Sequence, residues 1–135
     1  MANTYTQIYL HFVFAVKNRA SLIHPSWKDE LYKYITGIVQ NNNHKLIAIS
    51  GIPDHVHILI GYNLHQLIPD LLQDIKGNSS KWININKFTK SHFNWQAGYG
   101  ALSYSHSQID QVAKYIINQE KYHKKRTFQK EYLEF

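Results

Sequence analysis

Cysteine is absent from the 135 residues, which excludes a disulfide framework, a cysteine-based zinc site, an iron–sulfur cluster and a thiol nucleophile. Acidic residues are scarce: 9 Asp and Glu stand against 15 Lys and Arg, a formal net charge of +6. An anionic partner is therefore favoured over a cationic one, with nucleic acid the first candidate. Long apolar runs are missing as well. No stretch approaches the ~20 residues needed to cross a bilayer, and Met1-Ala2-Asn3-Thr4-Tyr5 is not a basic segment leading into an apolar one. The expectation is a soluble, cytoplasmic protein with no membrane partner. Repeats, low-complexity stretches and linkers are also lacking, so residues 1–135 read as a single domain.

Aromatic residues are abundant: 10 Tyr, 6 Phe and 3 Trp can fill a core or stack on unpaired bases. From Gln7 to Val16, Ile8, Leu10, Phe12, Phe14 and Val16 alternate with Tyr9, His11, Val13 and Ala15, the period of a strand. Pro25 opens a helical stretch to about Gln40, with Trp27, Leu31, Tyr34, Ile35 and Ile38 at helical spacing. Lys45 to Ile52 and His55 to Tyr62 read as two strands whose short connection makes them antiparallel neighbours. A second helix is expected from Leu64 or His65 to Trp82, a fourth strand from Gly98 to Ser105, and a last helix from an N-cap at Ser107 through about Lys125. The order strand, helix, strand, strand, helix, strand, helix suits an α+β, ferredoxin-like (RRM-like) antiparallel four-stranded sheet with two helices on one face. The other face is left to the last helix or to a partner.

His55 and His57 flank Val56, so their imidazoles share one face of a strand, where they are either a metal pair or part of a polar sheet surface. His11 lies opposite an all-apolar face. It joins them if the first and third strands adjoin, and otherwise is a hydrogen-bonded sheet residue. In the last helix Ile109, Val112, Ala113, Ile116 and Ile117 form an apolar stripe, while Tyr115 and Gln119, four apart, share a face at its edge. Alone, Tyr115 reads equally as a core-rim residue. The segment from Ile75 to Ile109 contains Lys76, Lys81, Lys87 and Lys90 and no acidic residue, interleaved with Trp82, Phe88, Phe93 and Trp95. Cations for phosphates and rings for bases belong to single-strand binding; core anchoring is the competing use of Trp82 and Trp95. Lys121, Lys124, Lys125 and Arg126 form a basic tail that could track phosphates or simply solvate a helix end.

Four blocks occur in one order: Pro53-Asp54-His55-Val56-His57-Ile58-Leu59, Lys76-Gly77-Asn78-Ser79-Ser80-Lys81-Trp82, Trp95-Gln96-Ala97-Gly98-Tyr99-Gly100 and Tyr115-Ile116-Ile117-Asn118-Gln119-Glu120. Over about Gln7 to Glu131 the chain resembles the single-tyrosine, His-hydrophobic-His transposases of small insertion sequences and their palindrome-associated relatives. The resemblance implies that Tyr115 is the nucleophile, attacking single-stranded DNA to leave a 5′-phosphotyrosine and a free 3′-OH. It also implies that His55, His57 and Gln119 hold a divalent ion, Mg²⁺ or Mn²⁺; His11 and Asp54 are the candidate residues for supporting those ligands from behind. Hairpin recognition near the element's ends, and a homodimer whose composite active site takes its tyrosine helix from the other subunit, are implied too. Two other readings compete: a non-catalytic ferredoxin-like module for single-stranded nucleic acid, and a phosphodiesterase in which water attacks.

Overall fold

The computed structural model describes residues 4–119. Its elements run β1 (Tyr9–Ala15), α1 (Lys28–Asn41), β2 (Lys45–Ile52), β3 (His55–Gly61), α2 (Ile68–Ile85), β4 (Gly100–Tyr104) and α3 (Ile109–Ile117). Two 3-10 turns, Lys17–Arg19 and His106–Gln108, follow β1 and β4. The strands pair antiparallel in the order β2-β3-β1-β4, which is the expected ferredoxin-like topology.

Strand alternation sorts the side chains. Phe12, Phe14 and Val16 join Val56, Ile58 and Ile60 on one face, against Leu31, Ile35 and Val39 of α1 and Leu71, Leu72, Ile75 and Ile83 of α2. The opposite face carries a smaller cluster, Ala48 and Leu59 packed by Ile109, Val112, Tyr115 and Ile116 of α3. The chain's own last helix thus lies on the face that the sequence left open. One expected member of its stripe is displaced: Ile117 is 62% exposed, while Tyr115 and Gln119 are buried.

Helix starts differ from expectation for local reasons. A helix from residue 64 or 65 would place Pro69 in its interior, where the ring clashes with a preceding carbonyl; α2 begins at Ile68 instead, with Pro69 in its first turn. After β4 the chain turns at Ser105 rather than Ser107, because Ser105 N–H donates to Gln108 Oε1 at 3.1 Å. Residues beyond Gln119, including the expected continuation of the last helix to Lys125, lie outside the described residues.

β2 and β3 close on the two-residue turn Pro53-Asp54, with Ile52 opposite His55. A Cβ on Gly51 would sit 2.2 Å from the His55 carbonyl oxygen, so only glycine permits this approach. The hairpin therefore fixes the backbone at His55 by close contact as well as by pairing.

Candidate active site

Because β3 alternates, His55 and His57 both point toward α3, and both are buried. Asp54, in the turn, stands beside His55, with 2.6 Å between its Oδ1 and the ring's Nδ1. Arg19, from the turn after β1, donates to Asp54 Oδ2 at 3.3 Å. His57 Nδ1 lies 2.8 Å from His11 Nε2 on the adjoining β1, and His11 Nδ1 lies 3.2 Å from the Tyr104 hydroxyl on β4. The three histidines are thus one cluster, in which His11 braces His57.

α3 brings the last two groups. The Tyr115 ring stands edge-on to His57, centroids 6.0 Å apart at 83°, and is 8% exposed. Gln119, one turn further, is fully buried and lies against His55. The edge position that the spacing assigned to Tyr115 and Gln119 is, in three dimensions, the part of the helix that faces the histidines.

Burial dominates the electrostatics. It pulls His11 down to about 4 from the ordinary 6.5, so this imidazole is neutral at physiological pH. It also draws His55 below the ordinary value, against the opposing hydrogen bond and charge of Asp54. For Asp54 burial pushes upward but is outweighed by the hydrogen bond and charge of His55 and by Arg19, leaving the carboxyl below its usual range. The stable arrangement is a neutral His55 donating from Nδ1 to an ionised Asp54. Tyr104 is pushed up to about 12 by burial and stays a phenol.

With Nδ1 of both rings engaged by Asp54 and His11, Nε2 is the nitrogen each can offer to a cation, and both Nε2 atoms are buried. Gln119 Oε1 is a buried acceptor beside His55. Two imidazole nitrogens and one amide oxygen fit a divalent ion with room for substrate oxygens. Among the described residues no three His, Cys, Asp or Glu side chains form a metal group by themselves.

The residues expected to bind DNA divide. Lys81, Lys87 and Lys90 are exposed. Lys76 instead donates to the Gln96 and Gly98 carbonyls, each at 2.8 Å, and burial lowers its pKa. Trp95 is a core anchor: it is 8% exposed, its Nε1–H donates to Ser79 Oγ at 2.9 Å, and Phe14 and Phe93 pack edge-on against it. Trp82 is half-buried and stacked on Tyr34 at 4.8 Å. Lys121, Lys124, Lys125 and Arg126 lie outside the described residues. Sequence reading overlooked Arg19 and Tyr104. Arginine's rarity beside lysine was a signal for the first, and the shared parity of Leu102 and Tyr104 with His11 across β4 and β1 becomes a signal for the second only once that pairing is known.

A family model described as "Transposase IS200 like" matches residues 4–119. The ISDra2 transposase TnpA of Deinococcus radiodurans is 28% identical over 119 residues, 84% of each chain. A crystal structure of a candidate transposase from Deinococcus radiodurans R1 superposes with a TM-score of 0.70 at 26% identity, over 88% of this chain and 96% of that one. A REP-associated tyrosine transposase bound to a REP hairpin shares the fold, with a TM-score of 0.67 at 14% identity, over 91% of this chain and 73% of that one.

Proposed function

Since this chain belongs to the IS200-like transposase family, whose members cut and rejoin single-stranded DNA through one tyrosine, we propose that Tyr115 is its nucleophile and that His55, His57 and Gln119 are its metal ligands. The observation that carries this reading is the placement of Tyr115 and Gln119, on one helix face, over the His55/His57 pair. The Tyr115 oxygen attacks a phosphodiester, a phosphorus–oxygen bond to the ring forms, and the bond to the 3′ oxygen breaks. The phenolic proton is lost and the departing 3′ oxygen gains one, leaving a 5′-phosphotyrosine and a 3′-OH. Attack by a 3′-OH on that linkage reverses the balance and joins strands without an external energy source.

A phenol of ordinary pKa near ~10 is a weak nucleophile at neutral pH. A divalent ion, Mg²⁺ or Mn²⁺, supplies Lewis acidity toward the phosphate when bound. His55 and His57 present Nε2, held in orientation by Asp54 and His11, and Gln119 presents Oε1. The exposed Lys81, Lys87 and Lys90 supply phosphate contacts to the strand, whose hairpin ends are the recognised feature. The working unit in this reading is a cytoplasmic homodimer with composite sites, in which α3 serves the partner's sheet as readily as its own.

The test incubates the protein with labelled single-stranded DNA carrying the element end and Mg²⁺ or Mn²⁺, followed by a denaturing gel. Wild type forms a covalent adduct that disappears in Tyr115→Phe. Cutting without any adduct would make water the nucleophile, and binding without cutting would leave a non-catalytic module.

A further inference from the structure

The β1–β4 ladder stops at Val13 and Gly100, and residues 97–99 bow away from β1 to leave a groove of about 640 Å³. Val13, Ala15, Asn18, Arg19, Gln96 and Tyr99 contribute to its lining. Its walls are tied before anything enters. Gln96 N–H donates to the Ala15 carbonyl at 2.7 Å, Asn18 N–H donates to Gln96 Oε1 at 2.9 Å, and Lys76 holds the Gln96 and Gly98 carbonyls from behind. Two non-glycine residues here hold a sparsely populated backbone conformation, beside a glycine that adopts it freely. Asn18 (φ 61°), Arg19 (φ 55°) and Gly98 (φ 85°) all occupy the left-handed region, and such residues gather where a binding surface demands them.

The chemistry of the groove is that of an anion carrying a flat ring. Arg19 is the charged side chain of the lining, and a guanidinium can hold a carboxylate and a phosphate oxygen together. Tyr99 meets Phe12 edge-on and keeps 39% exposure at the groove. The volume lies within the ~300–1,000 Å³ typical of small-ligand sites. Its floor is one strand away from the histidines, since Val13 and Ala15 are the register partners of His57 and His55.

We propose that this groove binds one unpaired nucleotide of the DNA strand next to the phosphodiester held at His55 and His57, with Arg19 on its phosphate and Tyr99 against its base. The proposal rests on the reading of those histidines and Tyr115 as the cleavage site. It assigns the loop of residues 96–100 and the turn after β1 a joint role in placing the strand for attack.

The probe is a short fluorescent oligothymidylate, titrated by anisotropy against the full chain. Tyr99→Ala is expected to weaken binding about 5- to 100-fold, and Tyr99→Phe, which keeps the ring, by no more than about threefold. Arg19→Gln is expected to lower affinity and to reduce the salt slope by about 0.7. Because Tyr99 also touches Phe12, the unmodified protein provides an independent measurement: an oligothymidylate carrying 4-thiothymidine is photo-cross-linked and the adduct mapped by mass spectrometry. Cross-links at residues 13–19 or 96–100 support the proposal. Unchanged affinity in Tyr99→Ala, or cross-links confined to other surfaces, overturns it. Tyr115→Phe separates the two readings. If that variant still forms a covalent adduct, the cleavage assignment falls and the groove is judged by its binding data alone; if only the groove variants fail to respond, the cleavage assignment stands and the groove falls.

Discussion

For His57 to offer Nε2 as a ligand, its proton must sit on Nδ1, where it is donated to His11 Nε2 at 2.8 Å. His11 must then carry its own proton on Nδ1, toward the Tyr104 hydroxyl at 3.2 Å. Replacing His11 with Phe removes the acceptor that selects this tautomer, and is expected to weaken Mn²⁺ binding about 10- to 100-fold, as measured by calorimetry or electron paramagnetic resonance. The same residue predicts a pH dependence. The unfolded chain takes up a proton at His11 near 6.5 but the folded chain only near about 4, so this contribution to stability is complete above pH 6.5 and declines as the pH falls toward 4. For His11 the loss amounts to about 3 kcal/mol, and His55, shifted in the same direction, adds to it. Denaturant unfolding of the metal-free protein on either side of that window checks the sign: a midpoint that rises on acidification contradicts it. That His55 and His57 share a face was legible from alternation alone. The bond from His11 to His57 was not, since it joins residues 46 apart and depends on which strands adjoin.

Among the elements, the β2–β3 hairpin governs the site most directly. Gly51→Ala would press a methyl group against the His55 carbonyl, so the hairpin must shift. The expected result is a loss of about 1–3 kcal/mol in stability together with weaker metal binding, read from thermal melts and Mn²⁺ titration of one preparation. The strands and the hairpin could be read closely from sequence because a period of two and a Pro-Asp turn are local signals. Helix starts were harder. The apolar pattern near Leu64 and Leu67 continues smoothly into α2, but both residues are exposed, and the position of Pro69 decides where the helix begins. In α3 most of the expected stripe of Ile109, Val112, Ala113, Ile116 and Ile117 does face the sheet, but Ile117 is exposed and Tyr115 is buried in addition, its ring filling the space beside His57. Hydrophobicity ranks isoleucine first; the cavity over the histidines favours the ring.

At the scale of the whole molecule, the basic excess is partly internal. Lys76 braces a loop, while Lys81, Lys87 and Lys90 are exposed. Replacing these last three with Gln is expected to lower the log–log salt slope of single-strand binding by about 2, at ~0.7 per phosphate contact; a slope that does not change assigns DNA contact to other cations. The aromatic surplus is likewise mostly structural, as Trp95 in the core and the Trp82–Tyr34 stack show, so composition alone overstated the stacking surface. The two faces of the sheet are unequally secured. α1 and α2 close over the larger cluster, whereas α3 rests on Ala48 and Leu59 with far fewer buried partners. α3 still buries Ile109, Val112, Tyr115 and Ile116, and with Gln119 it covers the histidines of β3. What lies beneath α3 is chemical as much as apolar: the contacts that seat the helix also set Tyr115 beside His57 and Gln119 beside His55, so docking the helix and assembling the site are a single event.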